Sequence, residues 1–392
     1  MNYIERFEQI YHMEPEHTAF VPYRVCPLGA HVDHNLGKVT GFAIDKGIHI
    51  AFKPKHNGVV EMQSLQFEKR AQWHVMDVPE EKENDWADYL RGATKELANI
   101  WPLKVGISGV VEGDLPIGGL SSSAAVTLAF LVALCKVNDI ELPSDELIEA
   151  ALRAENDYVG VSCGRLDQSC EVYCEKNNLL YLDTLDGTFE QIPTSPKMKP
   201  YKIAVFFSGQ ERSLGGTAFN MRTDELKSAA YALKAFSGME YGKFQATHMR
   251  EVPYETYLQY GDRLPETWHK RAEHFYSEVH RVEQGVEAWR KGDIDTFGRL
   301  IFESGASSIH NWETGSEPLI KLYDILRTTD GIYGGRFSGA GFKGCCMALV
   351  DPAYGDSILR SVEERYLKEL PEFKGKYVGC LCDSADGVSI KR

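Results

Sequence analysis

The chain is short of cations. Lys and Arg number 43 against 57 Asp and Glu, a formal net charge of −14. No basic stripe stands out that could track a phosphate backbone, which argues against a nucleic-acid partner. An anionic small molecule would need a local pocket of positive potential. No apolar run approaches the ~20 residues needed to span a bilayer, so no membrane partner is expected. The opening stretch "MNYIERFEQIYHMEPEHTAF" lacks the basic head and apolar core of a secretory signal. Nine cysteines show none of the paired C-x-x-C spacing of a zinc site. Free thiols in a reducing cytoplasm are the expectation. The phosphate loop G-x-x-x-x-G-K-[ST] is missing as well, so any bound nucleotide uses a different fold.

A chain of 392 residues suits two domains better than one core. Residues 39–54, "VTGFAIDKGIHIAFKP", alternate and carry β-branched residues, and read as paired strands. "ELIEAALRAENDYV" (146–159) has helical spacing, and "NLLYLDT" (178–184) and "YKIAVFFSG" (201–209) read as strands. Between the last two lies "LDGTFEQIPTSPKMKP", rich in turn formers, which suggests domains of 1–195 and 196–392. Beyond it, a long helix should end at Gly292 and another at Gly331. Strands and helices mix without a βαβ rhythm, so the expected class is α+β. The sequence leaves the oligomeric state open, and a monomer is compatible with it.

Three stretches carry chemistry. "PYRVCPLGAHVDHNL" (22–36) crowds Arg24, His31, Asp33 and His34 together. "PIGGLSSSAA" (116–125) sets Gly118, Gly119, Leu120, Ser121, Ser122, Ser123 and Ala124 before a long apolar helix. Small residues and free N–H groups at a helix start can cradle a phosphate, although a serine-capped core helix has the same appearance. "GRFSGAGFKGCCMALV" (335–350) repeats the device with Gly339 and Gly341. Gly341 and Gly344 alone could instead mark a bulge or a tight turn.

Taken in order, the three stretches resemble the motifs of the GHMP kinases, specifically their galactokinase-like branch. "RAENDYVGVSCGRLDQS" (153–169) resembles the branch's A-E-x-x-F-V-G-x-x-C-G-I-M-D-Q, and "DWADYLRGA" (85–93) its W-x-N-Y-V-K-G. The resemblance runs from residue 20 to beyond 350. It implies a ribosomal-protein-S5-like N-terminal domain and a ferredoxin-like C-terminal domain, with the active site in the cleft between them. It further implies phosphoryl transfer from ATP, with Mg²⁺, to a sugar hydroxyl. By motif position Arg24 and Asp167 become the catalytic pair, and Ser122 and Glu155 the magnesium ligands, with oxygen donors suited to a hard cation. His31, Asp33 and Gly164 become sugar contacts, and Trp86 and Tyr89 neighbours of the adenine, unless they are plain helix packing.

Several departures from the family pattern fall in or near its sugar-contacting motifs. Galactokinases carry a glutamate before the motif histidine, facing the C6 hydroxyl; here it is Ala30. A glutamate there would repel a sugar bearing a carboxylate at C6, and its loss removes the repulsion. The family's glycine before the arginine is Tyr23, whose hydroxyl could donate to a carboxylate. Arg165 stands where the branch has an apolar residue, and either meets a uronic acid or points to solvent. A sugar-contacting tyrosine in the loop "SGQERSLGGTAFNMR" (208–222) is replaced by Phe219. The resemblance and the carboxylate argument together imply D-galacturonic acid, phosphorylated at its anomeric hydroxyl, as the expected substrate. A galactokinase with an altered C6 pocket, or a non-catalytic sugar and ATP sensor, are the alternatives.

Overall fold

The computed structural model describes residues 2–210 and 217–391. Two sheets organise it, with helices packed between and around them, so the class is α+β. The larger has nine strands. Its path runs Ser389–Lys391, His17–Val25, Lys38–Lys55, Gly106–Gly113, Val59–Ser64 and Ala71–His74. Asn178–Asp183 and Ser384–Ala385 also pair with the strand Lys38–Lys55. The smaller sheet has four antiparallel strands, in the order Val378–Cys382, Lys202–Phe207, Cys345–Val350 and Ile332–Phe337.

Residues 39–54 do not make the expected pair of strands. They belong to a single strand of 18 residues, Lys38–Lys55. The turn-forming triplet Asp45–Lys46–Gly47 stays extended because partners on either side take its backbone groups. Asp45 N–H donates to Asp383, and the Gly47 carbonyl accepts from Asp114. A Cβ at Gly47 would lie 2.1 Å from the Val21 carbonyl oxygen, so only glycine allows this pairing.

The helix Ser122–Val137 is almost wholly apolar and lies buried against the larger sheet. The same core continues into the smaller sheet through Ile203, Val205 and Phe207, and into the helix Glu266–Lys291 through Val282, Val286 and Trp289. That long helix ends at Gly292 as expected, with the cap in the left-handed conformation. The next prediction fails: the helix Glu317–Arg327 closes at Thr328, and Gly331 instead precedes the strand Ile332–Phe337. The turn-rich segment read as a domain boundary contains a short strand, Phe189–Pro193, paired with Asn178–Asp183. Among the described residues no helix is long and apolar enough to cross a membrane.

Candidate active site

A cleft of about 630 Å³ is lined by residues of both halves of the chain. Arg24 enters it from the strand His17–Val25, which alternates its side chains between faces. Arg24 is 4% exposed, and its Nε donates to Asp167 Oδ1 at 2.8 Å. Its Nη1 donates to the Gly119 carbonyl at 3.1 Å, tying the pair to the glycine-serine loop. Burial works against the guanidinium's charge, but Asp167 outweighs it and raises the Arg24 pKa above its usual value. Asp167 sits in the first turn of the helix Leu166–Tyr173, where the helix dipole also favours a carboxylate.

The two glycine motifs form a single structure. A Cβ at Gly344 would come within 2.7 Å of the Gly118 backbone, and one at Gly339 within 2.9 Å of Gly119 Cα. The loops therefore interlock backbone to backbone, which no larger residue would permit. Ser121, Ser122 and Ser123 face the cleft at the start of the helix Ser122–Val137. Among the described residues the buried Ser121 hydroxyl has no hydrogen-bond partner, leaving a polar group for a ligand.

The helix Ser144–Arg153 continues into a π-helical turn, Ala154–Val159, capped by Gly160. Such an insertion rotates the side chains that follow and is frequent at functional sites. Here it brings Glu155, Val159, Gly160 and Val161 to the cleft. Glu155 is 4% exposed and accepts from Gln168 Nε2 at 2.9 Å. The hard oxygen donors of Ser122 and Glu155 suit a magnesium ion. Among the described residues no group of three His, Cys, Asp or Glu side chains could hold a metal unaided. Phosphate oxygens and water would have to complete its shell.

At the other end of the cleft His31 adopts a left-handed backbone (φ 63°). Its ring stacks on Trp312 with 5.3 Å between centroids and 7° between planes. Its Nε2 is buried without a hydrogen-bond partner among the described residues. Burial, and after it the nearby Arg336, push its pKa well below the usual histidine value, so the ring is neutral. Burial pushes the Asp33 carboxyl up, yet His34, with its ring nitrogen 3.7 Å from the carboxylate, leaves it below its normal range. A Cβ at Gly164 would lie 2.4 Å from Asp33 Oδ2, which explains glycine at that motif position. Ala30 and Phe219 complete this end.

The structure does not bring every expected residue into the cleft. Tyr23 precedes Arg24 on the strand and faces the opposite way, with its hydroxyl against Gly113. Arg165 turns outward, held by Asp145 at 3.4 Å and Glu149 at 3.3 Å. Neither can meet a sugar carboxylate there. Trp86 stacks on Phe67 and donates to the Lys69 carbonyl, while Tyr89 does line the cleft. Leu120 and Ala124 are buried in the core beneath the loop. Gly341 packs on Thr314 as a turn residue. Residues 211–216 of the loop before Phe219 lie outside the described residues. Sequence reading overlooked Lys82 and Lys343, two cations on the cleft wall. Lys343 was in view inside "GAGFKGC", in a place where the family pattern has glycine.

Residues 88–175 match the N-terminal domain of the GHMP kinases, and 286–368 their C-terminal domain. Residues 5–54 match the galactokinase galactose-binding signature. A galacturonokinase from Arabidopsis thaliana is 38% identical, covering 94% of this chain and 92% of its own. A galactokinase from Roseiflexus is 31% identical, with 98% and 95% covered. Lactococcus lactis galactokinase complexed with galactose has a TM-score of 0.89 at 25% identity, with 98% of both chains covered. Methanococcus jannaschii mevalonate kinase shares the fold alone, with a TM-score of 0.63 at 16% identity over 94% of this chain and 98% of its own. With the motifs, the interlocked glycine loops and these relatives in agreement, the chain belongs to the GHMP kinases, as a phosphotransferase of their galactokinase and galacturonokinase group.

Proposed function

We propose that the protein is an ATP-dependent galacturonokinase, converting D-galacturonic acid to its 1-phosphate. The observation that carries this reading is Ala30 on the cleft wall, where the family's glutamate would oppose a C6 carboxylate. The 38% identity to a galacturonokinase, against 31% to a galactokinase, supports it. Asp167 accepts the proton of the anomeric hydroxyl, whose oxygen attacks the γ-phosphorus of ATP as ADP leaves. Arg24 orients Asp167, and offsets charge on the moving phosphoryl group. Asp33 and the neutral His31 hold the ring hydroxyls, while Phe219 supplies apolar contact in place of a hydroxyl. The serine loop and Gly339 take the nucleotide phosphates, with Tyr89 toward the base. Magnesium, held through Ser122 and Glu155, would neutralise phosphate charge.

A galactokinase with a loosened C6 pocket is the second reading. It draws on the galactose-binding signature over residues 5–54 and the TM-score of 0.89 to a galactose-bound galactokinase. ADP release with MgATP and either D-galacturonate, D-glucuronate or D-galactose separates the two. A higher kcat/KM for galacturonate supports the proposal, and a preference for galactose refutes it. Nucleotide binding without turnover of any of the three would leave a sensor.

A further inference from the structure

Directly behind Ala30 lies a buried cluster with more positive than negative charge. Glu278, from the helix Glu266–Lys291, accepts the N–H of Gly29 at 2.8 Å and that of Ala30 at 3.3 Å through Oε1. Its side chain is 0% exposed. Arg281 Nε donates to Glu278 Oε2 at 2.8 Å. Arg336, also 0% exposed, reaches Glu278 Oε1 at 3.4 Å and donates to the hydroxyls of Ser304 and Ser308. His274 Nε2 lies 2.9 Å from the Ala30 carbonyl oxygen.

Two arginines thus share one carboxylate. Among the described residues no other carboxylate is within ion-pair distance of either. Of the neighbouring charges, Arg24 is paired with Asp167, and Asp33 makes no ion pair with either arginine, lying beside His34 and Gly164. Burial pushes the Glu278 carboxyl up, but Arg281 and Arg336 together hold it down at about 2. Burial lowers the Arg336 pKa, and Glu278 does not make up the deficit. His274 is lowered to about 4, first by burial, and stays neutral. A buried cation short of a counter-charge is costly unless a ligand brings one. A glutamate in place of Ala30 would supply that negative charge from the protein. The alanine leaves it to be supplied from the cleft.

We infer that the surplus charge of the Arg336–Glu278–Arg281 cluster is the partner of the substrate's carboxylate, acting through the thin wall at Ala30 rather than by direct contact. These are specificity-determining positioning residues, and the inference rests on the uronic-acid reading above. It explains how a carboxylate can be selected where neither Tyr23 nor Arg165 reaches it.

Two measurements test it. On the wild-type enzyme, the dissociation constants of D-galacturonate and of its uncharged amide, D-galacturonamide, compare ligands of nearly the same shape. The amide is expected to bind at least tenfold more weakly, and equal affinities would overturn the inference. In Arg281→Gln the cluster loses its surplus charge, whereas Arg281→Lys keeps it. The ratio of kcat/KM for galacturonate to that for galactose should fall at least tenfold in the glutamine variant, through KM, and stay within threefold in the lysine variant. A parallel loss with both sugars would show a structural role only, and an unchanged ratio would also overturn the inference. If Arg281→Gln fails to fold, the amide comparison decides alone. A wild-type enzyme that uses galactose and ignores galacturonate would overturn the substrate reading itself, and this inference with it.

Discussion

Replacing Ala30 with glutamate inverts the charge that a C6 substituent meets. The new carboxylate would emerge from the cleft wall one residue from His31, beside the space available to the sugar. Two carboxylates about 4–6 Å apart repel by about 3–4 kcal/mol at an effective dielectric of about 20. At 1.4 kcal/mol per decade that is a loss of roughly 10²- to 10³-fold in kcat/KM for galacturonate. Galactose carries no charge at C6 and gains an acceptor for its hydroxyl, so its kcat/KM should rise. The same glutamate would neutralise the surplus charge of Arg281 and Arg336, adding to the loss for galacturonate and stabilising the variant. The assay is coupled ADP release over a range of both sugars at saturating MgATP, with thermal melting as a check on folding. An Ala30→Glu enzyme that keeps galacturonate kcat/KM within threefold of wild type would refute the reasoning, because the substrate carboxylate could then not lie beside Ala30.

Other outcomes follow from the same geometry. Asp167→Asn should lower kcat by at least about 10³-fold while nucleotide affinity, read by calorimetry, stays within a few fold; near-normal turnover would remove Asp167 from the chemistry. Lys343→Ala should raise the KM for ATP roughly tenfold, the scale of one lost charge-assisted contact, with little change in sugar KM. Arg165→Ala should leave the KM for galacturonate within twofold, since its partners are Asp145 and Glu149; a tenfold rise would return it to the site. Glu171 is fully buried with neither carboxyl oxygen hydrogen-bonded among the described residues, and burial, aided by the charge of Asp167, raises its pKa well above the ordinary range. Its contribution to stability is therefore complete below the unfolded-state pKa and lost as pH rises through the raised value. Glu171→Gln should flatten the fall in Tm as pH rises above the ordinary carboxylate range, and superimposable Tm–pH curves for the two proteins would contradict this.

Much of the site could be read from the chain because its parts are local. The glycine-serine loop, the third glycine loop and the Arg24 and Asp167 motifs each depend on backbone conformation within a few residues, and short-range spacing records that. Spacing also marked the helix stop at Gly292. It could not report which way a side chain points. Tyr23 and Arg24 are adjacent, yet strand alternation sends one into the core and the other to the cleft, while Arg165 is drawn outward by two carboxylates. Nor could it show that the two glycine loops touch, or that Asp45–Gly47 is held straight by residues 114 and 383. The charge behind Ala30 combines Glu278 and Arg281, three positions apart, with Arg336, 58 positions from Glu278, and Glu278 holds the Ala30 N–H from 248 positions away. Local sequence determined the two glycine loops and marked Arg24 and Asp167 by their motifs. Only tertiary packing decided which charges share the buried wall of the sugar pocket, because Coulomb interactions in a low-dielectric interior depend on distance in space and not on separation along the chain.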